Sequence, residues 1–139
     1  MNTSQLGNIG EAKVLSEFVK LNIPCYLPYG DGNTIDLIAE FNGKLNRIQI
    51  KTTAAANNGA MMWKTTRQEG FHGNRATYDK NQIDYFAFYC LETDIVCLVP
   101  FDDDFPSNAI TIRTDDYQGT RLSTMRFAKD FQISNFIHS

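Results

Sequence analysis

The sequence predicts an α/β fold, a single domain in which one helix packs on a mixed central β-sheet. Three observations predict it. Apolar residues recur at helical spacing over residues 4–22 and end before Pro24. Asn42-Gly43 then separates two strand-like runs, and further β-rich runs fill the second half of the chain.

Ser4 is the expected N-cap of the helix, and Pro24 forbids its continuation. At about 100° per residue, Val14, Leu15, Phe18, Val19 and Leu21 form one apolar stripe, opposite Lys13, Ser16, Glu17 and Lys20. Glu11 falls inside that stripe. A carboxylate there is out of place, because a buried unpaired charge is costly.

Residues 34–41 and 44–52 form the expected hairpin. Asn-Gly is its natural turn, since both turn positions need positive φ. A two-residue turn fixes the register, so Phe41 opposes Lys44, Leu37 opposes Ile48 and Ile35 opposes Ile50. One face is then apolar, and the other carries Asp36, Gln49, Lys51 and Arg47. Residues 60–65 are a weaker strand candidate, and 68–77, with Gly70, Gly73 and Asn74, read as a loop. Residues 85–91 and 95–100 flank a short turn near Thr93-Asp94; a two-residue turn would set Cys90 opposite Cys97, most simply as buried thiols. Residues 109–113 add a strand, and 123–131 a short helix.

Composition narrows the function classes. The chain has 139 residues, 42% hydrophobic and 21% charged, which suits one globular domain and excludes a disordered tail. Its longest apolar run, Tyr85 to Leu91, is far short of the roughly twenty residues that cross a bilayer. Met1-Asn2-Thr3-Ser4-Gln5 has no signal-peptide character, so a cytoplasmic location is expected. Three cysteines without a C-x-x-C pair argue against a disulfide scaffold or a zinc site.

The net charge of −3 conceals a segregation. Lys44, Arg47, Lys51, Lys64, Arg67, Arg75 and Lys80 crowd residues 44–80 against Glu69 and Asp79, while residues 81–116 are strongly acidic. A basic block in an acidic chain is one way to build a phosphate-binding face; it reads equally as a solvated loop. Asp102-Asp103-Asp104 lacks the spacing of a calcium loop and is expected to be a solvated turn.

Asp36 and Glu11 offer the hard oxygens that Mg²⁺ prefers, and Gln49 can add a carbonyl oxygen. Lys51 supplies a cation that could orient water or stabilise charge on a pentavalent phosphate. Such a set beside a basic surface suits phosphodiester hydrolysis. The same residues read equally as the solvent side of a hairpin.

Gly10-Glu11, Gly30-Asp31, Ile35-Asp36-Leu37 and Arg47-Ile48-Gln49-Ile50-Lys51 resemble the PD-(D/E)XK nuclease superfamily. The likeness is to its Holliday-junction-resolvase-like branch and to the small group I intron-encoded homing endonucleases with that core. It covers about the first 55 residues, with looser similarity through Asp84-Tyr85-Phe86. The resemblance implies a restriction-endonuclease-like core and a Mg²⁺-dependent DNA endonuclease, most simply a site-specific homing enzyme. By position, Glu11 is the helix-borne acid, Asp36 the metal-ligating aspartate and Lys51 the lysine of the motif. Thr34-Ile35 stands where the proline is usual, and Gln49 where the second acid is usual. Gln49 is thus expected among the metal ligands, with Asp36 and Glu11. Arg67 and Arg75 are candidates for base contacts in double-stranded DNA; Arg47, Thr52, Lys64 and Lys80 complete the candidate DNA-binding set, with Thr52, Lys64 and Lys80 toward the backbone. His72 is expected to be a loop or DNA-contacting residue, without a catalytic role. One site per chain and two strands to cut imply a homo-oligomer, a dimer or tetramer. The alternatives are a junction resolvase with the same chemistry and a DNA-binding protein with a degenerate site.

Overall fold

The computed structural model describes residues 1–69 and 74–138. Helix α1 spans Thr3–Lys20. Its N-cap is Asn2, not Ser4: the Asn2 carboxamide oxygen accepts from the Gln5 N–H at 2.9 Å, and Gln5 Oε1 accepts from the Asn2 N–H at 2.9 Å. This reciprocal pair satisfies two otherwise orphaned donors, which a cap at Ser4 would leave open.

The strands are β1 (Cys25–Tyr26), β2 (Leu37–Phe41), β3 (Lys44–Thr53), β4 (Ala60–Lys64), β5 (Thr66–Glu69), β6 (Asn74–Thr77), β7 (Tyr85–Cys90), β8 (Ile95–Pro100), β9 (Ala109–Arg113) and β10 (Arg126–Phe127). A five-stranded sheet runs in the order β1-β2-β3-β7-β8; β3 and β7 are parallel and the other neighbours antiparallel. A second sheet, β10-β9-β4, lies against its other face, and β5 and β6 form a separate two-stranded ribbon. The mixed sheet under a helix matches the expected class.

Two cores explain the central strands. Val14 and Phe18 of α1 pack on Leu37, Ile48, Ile50, Ala87 and Leu98. Phe86 and Phe88, pointing the other way from β7, pack with Trp63, Met61, Ile110 and Ile112 of the second sheet. Strand β7 is buried on both faces, which is why Tyr85 to Cys90 is continuously apolar. Trp63 keeps its indole N–H satisfied in that core by donating to the Tyr89 carbonyl at 2.9 Å.

The Asn42-Gly43 turn has φ of 56° and 71°, and the predicted register holds: Leu37 pairs Ile48, Ile38 pairs Arg47 and Phe41 pairs Lys44. Several expectations differ. The buried line of α1 is narrow, Gly10, Val14 and Phe18, while Val19, Leu21 and Glu11 are exposed, because the stripe runs past the sheet it covers. Strand β2 starts at Leu37 rather than Thr34. The stretch read as a loop over 68–77 contains the paired ends of the β5–β6 ribbon. The β7–β8 connection has four residues, so Cys90 pairs Ile95 and Cys97 pairs Phe88, and all three cysteines are free thiols. The helix expected over 123–131 is instead β10 followed by two 3₁₀ turns, Ala128–Phe131 and Ile133–Phe136. Among the described residues, no helix is long and apolar enough to cross a membrane.

Candidate nuclease site

The site forms where β2 stops short of β3. With the β2 ladder beginning at Leu37, the Ile50 N–H of β3 meets a side chain instead of a strand. Asp36 fills the gap: its Oδ2 accepts from the Ile50 N–H at 2.9 Å and from Gln49 Nε2 at 2.7 Å. Gln49 Nε2 also donates to its neighbour's carbonyl, Ile50 O, at 3.2 Å. Asp36 is thereby fixed against the strand by two bonds to one oxygen, while Oδ1 and Gln49 Oε1 enter no hydrogen bond with a described residue.

Burial pushes the Asp36 carboxyl up to about 6 from its ordinary 3.8, and nearby Glu11 pushes the same way. The Ile50 N–H and the Lys51 ammonium pull it back, without prevailing. The exposed Glu11 therefore sits close enough for its charge to be felt at Asp36. Gly10 brings it there. A Cβ on Gly10 would lie 1.7 Å from Thr52 Oγ1, so only glycine lets α1 approach β3 this closely at that point.

Lys51 lies one pleat beyond Gln49. Its Nζ donates to the Thr66 carbonyl at 3.2 Å and stands 4.8 Å from the centroid of the Tyr78 ring. Glu11, Asp36, Gln49 and Lys51 thus converge from α1, the β2 approach and β3.

The candidate DNA-contact residues divide. Lys64 and Arg67 are exposed on β4 and β5. Arg75 lies on β6 with its Cα opposite Gln68 across the ribbon; its side chain, and the His72 loop, lie outside the described residues. Lys80 is exposed and pairs with Asp103 at 3.2 Å. Thr52 turns toward α1 and packs on Gly10. Arg47 is committed elsewhere: Nε and Nη2 grip Asp84 Oδ2 and Oδ1 at 2.9 and 3.0 Å, and Nη1 donates to the Asn81 carbonyl. The Arg47 guanidinium, with the Arg47 N–H and Lys44, holds the Asp84 carboxyl down at about 2. This clamp ties β3 to the start of β7, its parallel neighbour.

A family model described as PD-(D/E)XK endonuclease matches residues 1–134. The chain belongs to the PD-(D/E)XK endonuclease family. Among solved structures, that of a bacterial homing endonuclease, I-Ssp6803I, matches with a TM-score of 0.74 and 20% sequence identity, covering 88% of this chain and 86% of that one. That likeness concerns the fold. No curated protein matches.

PD-(D/E)XK nucleases generally use divalent metal ions, and the residues here fit one. Two carboxylates and an amide carbonyl make an all-oxygen donor set, the kind that suits Mg²⁺. The described residues hold no group of three His, Cys, Asp or Glu, and Gln49 Oε1 is a further side-chain oxygen beside Asp36. A carboxyl raised by burial and by a second acid is also one whose ionised form a cation would stabilise. Sequence reasoning missed Thr66, Tyr78 and the Arg47–Asp84 clamp, and gave Gly10 no role of its own. Gly10-Glu11 was visible as a motif, but nothing local in the sequence announces a carbonyl or a ring reaching Lys51 from another strand.

Proposed function

We propose that this chain is a Mg²⁺-dependent DNA endonuclease that cuts both strands of a long duplex target as a homo-oligomer, in the manner of a homing enzyme. One observation carries the reading: Asp36, Gln49 and Lys51 converge at the open edge of β3, with Glu11 delivered beside Asp36 by the Gly10 contact.

Asp36, Glu11 and Gln49 Oε1 would hold the metal, which supplies a Lewis acid for the phosphate and an activated water. Asp36 must be ionised for this; burial raises its carboxyl to about 6 in the metal-free chain, and a bound cation would pull it back down. The Lys51 ammonium faces the same edge; there it orients the attacking water and offsets charge on the phosphate oxygens. Gln49 locks the Asp36 carboxylate in one orientation through the 2.7 Å bond, and it adds no charge of its own. Compared with a site carrying three acids, this one attracts a metal less strongly.

The β5–β6 ribbon supports the DNA reading. A two-stranded ribbon fits the major groove, and it carries Arg67 and Arg75 next to the site. Lys64 adds phosphate contact from β4. Arg47 and Thr52 contribute to the site by holding β3 in place, since both are engaged within the fold.

The test is cleavage of a sequence-diverse genomic DNA library in Mg²⁺, with Asp36→Ala alongside. New ends clustered at one long motif and absent from the variant establish a site-specific nuclease. No ends above the variant's background remove that reading, and a labelled four-way junction then distinguishes a resolvase from a non-catalytic binder.

A further inference from the structure

The root of the β5–β6 ribbon closes on Lys51 from two sides. Thr66 opens β5 and pairs with Thr77, which closes β6; Tyr78 follows immediately. The Thr66 carbonyl accepts from Lys51 Nζ, and the Tyr78 ring presents a face to the same ammonium at 4.8 Å. The ring is itself held, edge-on to Phe86 at 5.2 Å between centroids, and Phe86 belongs to the second core. A lysine has four rotatable bonds, and its ammonium is freely placed unless something confines it. Here a carbonyl and an aromatic face confine it, both negative in the direction of the charge.

We propose that Tyr78 is a positioning residue for Lys51, and that with the Thr66 carbonyl it makes the ribbon root a clasp for the lysine. This rests on the nuclease reading above and extends it: the arm placed to read DNA is the arm that holds the lysine. A ribbon seated wrongly on DNA shifts Thr66 and Tyr78 together and takes Lys51 out of place. Recognition and chemistry are then coupled through the same two strands.

The experiment compares Tyr78→Leu and Tyr78→Phe with the wild-type chain. Leucine keeps apolar bulk against Phe86 but has no π face; phenylalanine keeps the face. Under single-turnover conditions on a cleavable duplex, Tyr78→Leu is expected to slow cleavage about 3- to 30-fold, the range for losing a partly desolvated cation–π contact, with DNA affinity changed less than about twofold. Tyr78→Phe restores the rate. A second readout needs no activity: labelling of Lys51 by an amine-acylating reagent, followed by mass spectrometry, is expected to quicken in Tyr78→Leu and not in Tyr78→Phe. Equal rates and equal labelling in all three chains overturn the clasp. A wild-type chain that cuts no DNA, while Lys51 labelling still responds to the ring, would instead leave the clasp standing and remove the nuclease reading.

Discussion

Replacing Asp36 with asparagine is expected to stabilise the protein at neutral pH while abolishing any cleavage. The Asp36 carboxyl is raised from 3.8 to about 6, mainly by burial. A raised carboxyl in the folded state favours folding below pH 3.8, where both states are protonated, and loses that contribution as pH rises through 6. The full loss is about 3 kcal/mol, from roughly two units at 1.36 kcal/mol each. Asparagine has no such dependence and nearly the same shape. Its carboxamide oxygen can take the place of Oδ2, which alone accepts from both Ile50 and Gln49. Its Nδ2 would then occupy the place of Oδ1, and the like-charge repulsion from Glu11 would be gone. Asp36→Asn is therefore expected to unfold at higher temperature than wild type by roughly 10 °C at pH 8, with the gap closing between pH 6 and pH 4. The assay is thermal unfolding followed by circular dichroism at pH 4, 5, 6, 7 and 8, the two chains side by side, so that every other titrating group cancels. Adding Mg²⁺ at pH 8 should narrow the gap, by about 1.4 kcal/mol at ten times the dissociation constant, since the metal stabilises only the ionised wild-type site. An asparagine variant less stable than wild type at pH 8, or a gap of equal size at pH 4 and pH 8, would refute the assignment of Asp36 as a strained, desolvated carboxylate.

Four further outcomes are expected. Lys51→Ala should abolish cleavage and leave DNA affinity in a gel-shift assay within about threefold; cleavage that survives it would remove the central role given to the lysine. Gly10→Ala should cost about 1–3 kcal/mol in denaturant unfolding by forcing α1 off β3, and should slow cleavage by displacing Glu11. Thr52→Gly should recover more of that loss than Thr52→Ala, because the Thr52 Cβ alone would still lie 2.9 Å from the new methyl. Gln49→Glu should keep a working site and tighten Mg²⁺ binding, measured by calorimetry at pH 8, and should raise the Asp36 carboxyl further. Arg47→Ala should lower stability by about 1–2 kcal/mol through the loss of the Asp84 clamp, without changing which DNA sequence is cut. The low Asp84 carboxyl adds a sign to that test: the contribution of the clamp is present above about pH 4 and fades as pH falls toward 2.

What was legible in the sequence was what a turn and an alternation can specify. Asn42-Gly43 fixed the register of β2 and β3, and register alone put Gln49 and Lys51 on one face, away from Ile48 and Ile50. Asp36 is legible as a neighbour of Gln49, although its contact with the Ile50 N–H, where β2 has not yet begun, depends on the strand starting at Leu37, three residues later than expected. The ribbon reads as a loop in the sequence because Gly70, Gly73 and Asn74 dominate the local signal, while its pairing is decided by neighbours across the hairpin. The Arg47–Asp84 pairing is hidden for a related reason. Charge and sequence position say that an arginine is available, and only the fold shows Asp84, just before β7, brought beside it.

Glu11 shows how a wrong inference about burial can still single out a residue close to Asp36. On a helical wheel it falls inside the apolar stripe, where a lone buried acid demands an explanation. In the fold it is exposed, so that cost never arises. The wheel nevertheless placed it correctly on the side of α1 that turns toward the sheet, because Gly10, Val14 and Phe18 run along that side. Near its N-terminal end the helix passes the open edge of β3, where no second strand covers the sheet. A residue on that side of the helix is therefore exposed to solvent while its charge is still felt at Asp36. The same late start of β2 leaves the Ile50 N–H for Asp36 to cap. One structural fact, a ladder that starts at Leu37, therefore accounts for both carboxylates: it gives Asp36 its partner and Glu11 its access to solvent. Lengthening β2 by strengthening its first residues, with Thr34→Val as the simplest change, should accordingly compete with the site. Weaker Mg²⁺ binding together with slower amide exchange at Ile50 is the expected result, and stronger metal binding would contradict the placement of the site at that open edge.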